Sequence, residues 1–347
     1  MVYYIRFLKT PRFQQQKQSA YISALICIST DLGDDFLAEE VDLTASWVQH
    51  SSHKVRAQTT FRWQAGSRQL AVSLGPFSLS AVAAETAVLK IQLADVERDT
   101  LEEGSIPLVI SANSAPFGPQ WEPAEPLIRR DLCIPGHLRP LSIWEETGNS
   151  IARHIWDAAL AAVVFLDRVV SGSETTMSGL TKLLAPGTAS LRVVELGAGC
   201  GIVGIALATM HKNCEVILTD LPEVSEIVSR NIKEASAQHT STSVTFQTLD
   251  WDEPTPALVG ETTDLILVSD CTYNADSLPA LVSVLGRFAQ ESPGLLILVS
   301  LKRRHESEAV FFDLMRTAGF QSSHAAVNLP AQWDQMDQIE MYCYQKA

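Results

Sequence analysis

The densest chemistry in the chain sits in one stretch, Glu195-Leu196-Gly197-Ala198-Gly199-Cys200-Gly201-Ile202-Val203-Gly204, which continues an apolar run beginning at Leu191. Glycine lets a backbone approach a ligand closely and adopt conformations closed to other residues, and a turn at a helix start offers unpaired N–H groups. A nucleotide-like ligand belongs there. The stretch contains Gly199-x-Gly201-x-x-Gly204, the spacing of a dinucleotide site, so the glycines alone leave nicotinamide cofactors and methyl donors both open. Two carboxylates add to the pattern. Glu195 precedes the first glycine by two residues, where it would repel a pyrophosphate but attract the ammonium and sulfonium charges of S-adenosylmethionine, which has no phosphate. Asp220 ends the next apolar run and is placed to accept hydrogen bonds from ribose hydroxyls, as either cofactor would require. Plainer uses exist: Gly201 and Gly204 in close helix–strand packing, Asp220 as cap of a helix beginning at Pro222. Taken together the residues favour the methyl donor over the nicotinamide.

Positioning these groups requires strands and helices in alternation, and the second half of the chain has that texture. Leu191 to Leu196, Glu215 to Thr219, Val244 to Leu249, Asp264 to Ser269 and Leu295 to Ser300 read as buried strands. Between them Ile202 to Met210, Pro222 to Ala235 and Leu278 to Phe288 read as helices, the second with Val224, Ile227, Val228, Ile232 and Ala235 on one face. This alternation predicts a parallel sheet covered on both sides. Glu306 to Ala318 would form a last helix, and Phe320 to Val327 with Ile339 to Tyr344 would close the sheet as an antiparallel pair.

The first part of the chain differs. Ala24 to Ile28, Val55 to Trp63, Leu70 to Leu74 and Ala87 to Leu93 are short strand-like runs divided by polar turns, predicting a β-rich domain over residues 1–110. It carries no chemical constellation, and its expected role is scaffold or substrate docking. Prolines at 116, 119, 123, 126, 135 and 140 predict an irregular connector over 111–140, leaving 141–347 for the catalytic domain.

Composition narrows the function. The 347 residues are 46% hydrophobic, enough to fill a core, and carry a formal net charge of -14. That charge argues against phosphate backbones and anionic membranes as partners, and for proteins or small molecules. The scattered cysteines, Cys27, Cys133, Cys200, Cys214, Cys271 and Cys343, lack metal-finger spacing and suit reduced thiols of an intracellular protein. The longest apolar run, Ala158 to Leu166, lies between Asp157 and Asp167 and is too short to span a bilayer. Arg6, Lys9, Arg12 and Lys17 without early acids superficially suggest a mitochondrial leader, but Val2 to Leu8 reads better as a first strand. The expected location is the cytoplasm, with the nucleus also open.

With these residues in view, the chain resembles the seven-strand lysine methyltransferases, the family of the valosin-containing-protein lysine methyltransferase. The resemblance rests on Ile155-Trp156-Asp157-Ala158-Ala159, the Glu195 to Gly201 loop, Thr219-Asp220-Leu221, Leu249-Asp250-Trp251 and Ser269-Asp270-Cys271-Thr272-Tyr273, and covers residues from about 140 onward. Its most specific element is Asp270-x-x-Tyr273. It implies a Rossmann-like seven-stranded sheet with the β-rich domain appended, and S-adenosylmethionine as cofactor. By the same resemblance Trp156 lies along the methionine portion, and Gly197, Ala198, Gly199 and Gly201 line its amino-acid end. Asp220, with Leu221 beside it, holds the ribose. Trp251 meets the adenine and Ser269 touches the cofactor. Asp270 and Tyr273 then shape the channel for a lysine of a protein substrate.

Transfer from a sulfonium is a direct displacement that needs alignment and exclusion of water, without a metal. A free lysine, with a pKa near 10.4, is the nucleophilic amine in only about one molecule in a thousand at neutral pH. Desolvation and the sulfonium charge would lower that pKa, whereas Asp270 alone would raise it. Methylation of a small molecule shares every motif and stays open beside the protein-lysine reading; a nicotinamide-dependent oxidoreductase is the more remote alternative.

Overall fold

The computed structural model describes the chain apart from residues 84, 119–120, 149, 188–189, 239–242, 254–261, 306–307, 332–336 and 347. The chain divides into two compact units, one of Met1–Thr100, Ser105–Cys133 and His137–His154, the other of Leu101–Gly104, Ile134–Gly136 and Ile155–Ala347.

The first unit is built from two sheets. In one, Leu70–Ser78, Ser19–Ser29, Tyr3–Gln16 and Val109–Ile110 lie in that order; in the other, Leu141–Glu146, Leu127–Cys133, Ala112–Ser114, Ala87–Leu93, Val41–Gln49 and Val55–Trp63 do. Alternation drives the pairing: Ala20, Ile22 and Ala24 of one strand are buried while their neighbours are only partly so. Phe13 stands edge-on to Trp47 at 5.7 Å and tilted on Phe117 at 5.2 Å, at the centre of the apolar interior.

The expected connector over 111–140 contains two sheet strands, and the expected boundary at 141 moves to residues 154 and 155. Ala112–Ser114 and Leu127–Cys133 are sheet strands, and Leu141–Glu146 pairs antiparallel with the latter, from Leu127 opposite Glu146 to Leu132 opposite Leu141. Two causes hid this. The prolines lie between the strands rather than in them, and the inward position between Ile128 and Leu132 is filled by Arg130, which breaks the apolar alternation. Arg130 and Glu145 are both fully buried and paired at 2.6 Å. Nearby charges, above all the Arg130 guanidinium, outweigh burial and hold the Glu145 carboxyl far below the usual range.

The second unit contains the strands β1 (Leu191–Leu196), β2 (Cys214–Asp220), β3 (Ser243–Thr248), β4 (Leu265–Ser269), β5 (Leu296–Leu301), β6 (Phe320–Asn328) and β7 (Gln338–Lys346). They form one sheet in the order β3-β2-β1-β4-β5-β7-β6, parallel from β3 to β5, with β7 antiparallel to both its neighbours. The helices are α1 (Asp157–Val170), α2 (Ser178–Leu183), α3 (Ile202–Met210), α4 (Ser225–Gln238), α5 (Leu278–Glu291) and α6 (Ala309–Thr317). Residues 306 and 307 of the expected last helix lie outside the described residues.

Both faces of this sheet are covered. Val194, Leu196, Ile266, Val268, Ile297 and Val299 share a core with Leu281, Leu285 and Phe288 of α5 and Phe311 and Met315 of α6. On the opposite face α3 lies so close that a Cβ on Gly204 would come within 2.5 Å of Leu218 and 2.9 Å of Val216. The run Ala158 to Leu166 is buried throughout and forms the body of α1, an interior helix. No described helix is long and apolar enough to cross a membrane.

Candidate active site

The site gathers at the carboxyl ends of β1, β2, β4 and β5, where open parallel sheets present their ligand crevice. β1 ends at Leu196, and the chain turns through Gly197, Gly199 and Gly201 at φ of 65°, 53° and 77° before α3 begins. Left-handed backbone at alternate positions is what restricts this loop to glycine. Its shape is fixed from β2: Ala198 N–H donates to the Thr219 carbonyl at 3.0 Å, and Gly199 N–H to Asp220 Oδ2 at 2.8 Å. From α4, Asn231 Nδ2 donates to the Cys200 carbonyl at 2.8 Å.

Asp220 thus holds the loop directly, and its other oxygen accepts the Leu221 N–H at 2.7 Å. Each carboxylate oxygen retains acceptor capacity for a ribose hydroxyl. Burial raises its pKa. Leu221 itself, expected beside the ribose, turns a side chain 38% exposed away from the core.

Glu195 differs from expectation. Instead of facing a cationic ligand, its side chain lies beneath the loop, 2% exposed, with Oε2 accepting the Gly204 N–H at 2.8 Å. The reason is strand alternation: Val194 and Leu196 face α5 and α6, so Glu195 faces α3, where the first-turn N–H groups need acceptors. Burial pushes its pKa up to about 8.

Trp251 is half-buried and leans on the loop, its Cζ2 being 3.4 Å from where a Gly197 Cβ would stand, while the Cys271 Sγ would be only 2.5 Å away. Gly197 therefore creates the space into which these two side chains close. Left-handed glycines, a carboxylate that can meet a ribose and a half-buried indole beside them fit an adenosine with an amino-acid tail. These residues would hold S-adenosylmethionine.

A second group of side chains, where the acceptor channel was expected, comes from β4, β5 and the start of α1. Ser269 Oγ accepts the Ser300 hydroxyl at 3.0 Å. Asp270 follows in left-handed conformation at φ 53°, its N–H bonded to the Ser300 carbonyl at 2.8 Å. A non-glycine residue held there is uncommon and concentrates at functional sites. Its Oδ2 pairs with Arg304 at 2.9 Å and its Oδ1 accepts the Lys302 N–H at 3.3 Å. Tyr273 stands further out with 60% of its surface exposed, while partial burial of its hydroxyl, then Cys271, Asp220 and Asp270, raise its pKa. Trp156 is not inside α1 but at its N-cap, half-buried, with the Arg304 guanidinium 5.4 Å above its ring.

Sequence reasoning missed Arg304 and Lys302. The available signal was Lys302-Arg303-Arg304, a basic run leaving an apolar strand in a chain of net charge -14. Lys302 Nζ pairs at 2.7 Å with Asp157, which is fully buried at the start of α1.

Comparison with known proteins agrees with this geometry. A family described as lysine methyltransferase matches residues 137–318. The UPF0665 family protein C23C4.06c of Schizosaccharomyces pombe is 27% identical over 326 residues, covering 89% of this chain and 91% of that protein, so the likeness extends through both units. The protein-lysine N-methyltransferase EFM6 of Saccharomyces cerevisiae is 27% identical over 210 residues, 56% of this chain and 82% of its own. The protein N-lysine methyltransferase METTL21A of Danio rerio is 30% identical over 173 residues, 50% of this chain and 70% of its own. With a matched region spanning the glycine loop, Asp220 and the Asp270–Tyr273 segment, the chain belongs to the lysine methyltransferase family and uses S-adenosylmethionine as its methyl donor.

Proposed function

We propose that the chain methylates a lysine side chain of a protein substrate, with Asp270 and Tyr273 receiving the lysine and the first unit contributing to substrate docking. The family match across the site carries this reading, supported by the way Asp270 is fixed. When bound, S-adenosylmethionine supplies an electrophilic methyl group, whose carbon exchanges its bond to sulfur for one to the amine nitrogen while sulfur keeps the electron pair. The residues do the rest by position. Gly197 to Gly201 and Asp220 fix one end of the cofactor, Trp251 and Trp156 wall its length, and Asp270 orients the incoming nitrogen through an oxygen lone pair. Tyr273, at the exposed end, offers an aromatic wall to the alkyl-ammonium. The amine must lose its proton to water before transfer, because only the neutral form has the lone pair.

Two measurements test this. Calorimetry of the purified chain with S-adenosylhomocysteine should show binding, and tritiated donor with extract from cells lacking the protein should label lysine in a protein band. Label confined to the soluble pool would refute the protein substrate. Asp270→Ala should abolish labelling while S-adenosylhomocysteine still binds; parallel loss of binding would reassign Asp270 to the cofactor.

A further inference from the structure

Two cations leave β5 on alternate residues and each meets a carboxylate at the acceptor end. Lys302 pairs with Asp157 and Arg304 with Asp270, at 2.7 and 2.9 Å. Arg304 also lies over Trp156, so one guanidinium touches both the carboxylate and the indole that the two sides of the site contribute. Among the described residues, further charged or titratable groups lie near this corner. Glu308, before α6, spends Oε1 on the backbone N–H groups of Arg304 and His305, each at 3.1 Å. Asp220 and Cys271 neighbour Tyr273 from the β2 and β4 ends, and Glu195 is buried below the loop.

A lone carboxylate at the acceptor would hold the lysine as ammonium, the wrong form for a nucleophile. A guanidinium is charged at every working pH and its planar fork suits both a carboxylate and an aromatic face. We propose that Arg304 is a positioning residue for the transfer: it fixes Asp270 and Trp156, and its charge offsets that of Asp270, so that the lysine is oriented without being held protonated. The inference rests on the reading that Asp270 meets the target amine.

The test is the pH profile of protein labelling, with tritiated donor and extract from cells lacking the protein, for wild type, Arg304→Gln and Arg304→Lys. Removing the charge should move the acid limb of the profile upward by about one pH unit, close to a tenfold loss at neutral pH. Arg304→Lys, which keeps the charge, should shift it by less than half as much. Calorimetry with S-adenosylhomocysteine should still show binding to both variants. A uniform loss of rate with no shift in Arg304→Gln, or equal shifts in both variants, overturns the proposal. So does loss of S-adenosylhomocysteine binding in both, because Arg304 would then be holding the cofactor cradle. If the wild-type chain labels no protein at all, it is the functional reading that fails.

Discussion

Gly197→Ala is the sharpest probe of the cofactor loop. A methyl there would stand 2.5 Å from the Cys271 Sγ and 3.4 Å from the Trp251 ring, on a backbone at φ 65°. Cys271 cannot simply swing aside. It is buried, and its thiol donates toward the Leu196 and Ser269 carbonyls at 3.5 and 3.2 Å. The left-handed conformation costs an L-residue about 1–2 kcal/mol and overpacking about 1–3 kcal/mol, so together roughly 2–5 kcal/mol is at stake. Either the loop yields, weakening S-adenosylhomocysteine binding by about tenfold or more, or the unit loses stability; calorimetry and urea unfolding read the two. Cys271→Ala separates the contributions. In that background the overlap is gone and Gly197→Ala should cost only the conformational part, about 1–2 kcal/mol. The reasoning fails if Gly197→Ala costs the same with and without the thiol, or if it binds S-adenosylhomocysteine within twofold of wild type and unfolds at the same urea concentration.

Other outcomes follow from buried charges. Burial raises the Glu195 pKa from 4.5 to about 8, so the folded chain keeps a proton that the unfolded chain releases; this contribution is greatest below pH 4.5 and declines as pH rises toward 8. Glu195→Gln should remove the decline, its unfolding midpoint gaining on wild type between pH 5 and pH 8; a constant difference would show that Glu195 does not titrate there. Asp220→Ala leaves the Gly199 and Leu221 N–H groups without their acceptor and should weaken S-adenosylhomocysteine binding by about tenfold or more; a change under threefold in calorimetry would remove Asp220 from the site. In the first unit, Glu145→Ala strands Arg130 in the interior and should cost about 3–5 kcal/mol in denaturant unfolding; a loss under 1 kcal/mol would mean the pair is hydrated in solution.

The catalytic unit was largely legible because its signals are local. A parallel strand buried on both faces is a continuous apolar run, and the limits of β1 and α3 coincide with those read from sequence, while β4 differs by one residue at its start and β2 and β5 by one residue at each end. The glycine loop and Asp220 were equally visible, since φ above zero and a strand-end carboxylate are properties of residue type and place. Long-range pairing was not. Arg130 facing inward reads as a polar interruption until Glu145 is seen across the hairpin. The partners Asp270 and Arg304 leave different strands, and nothing in their separation along the chain predicts that parallel register sets Ser269 opposite Ser300 and so brings those exits together. Glu195 was misjudged for a related reason. Its position in the strand was clear, but the choice of face depended on α3 closing over it.

The antiparallel strand β7 runs between β5 and β6, although residues 338–346 follow both in the chain. During synthesis the apolar edge of β5 therefore stays unpaired on that side until residues 338–346 have emerged, and exposed edges of this kind recruit other chains. A truncation at residue 330 would therefore open the middle of the sheet rather than trim its rim.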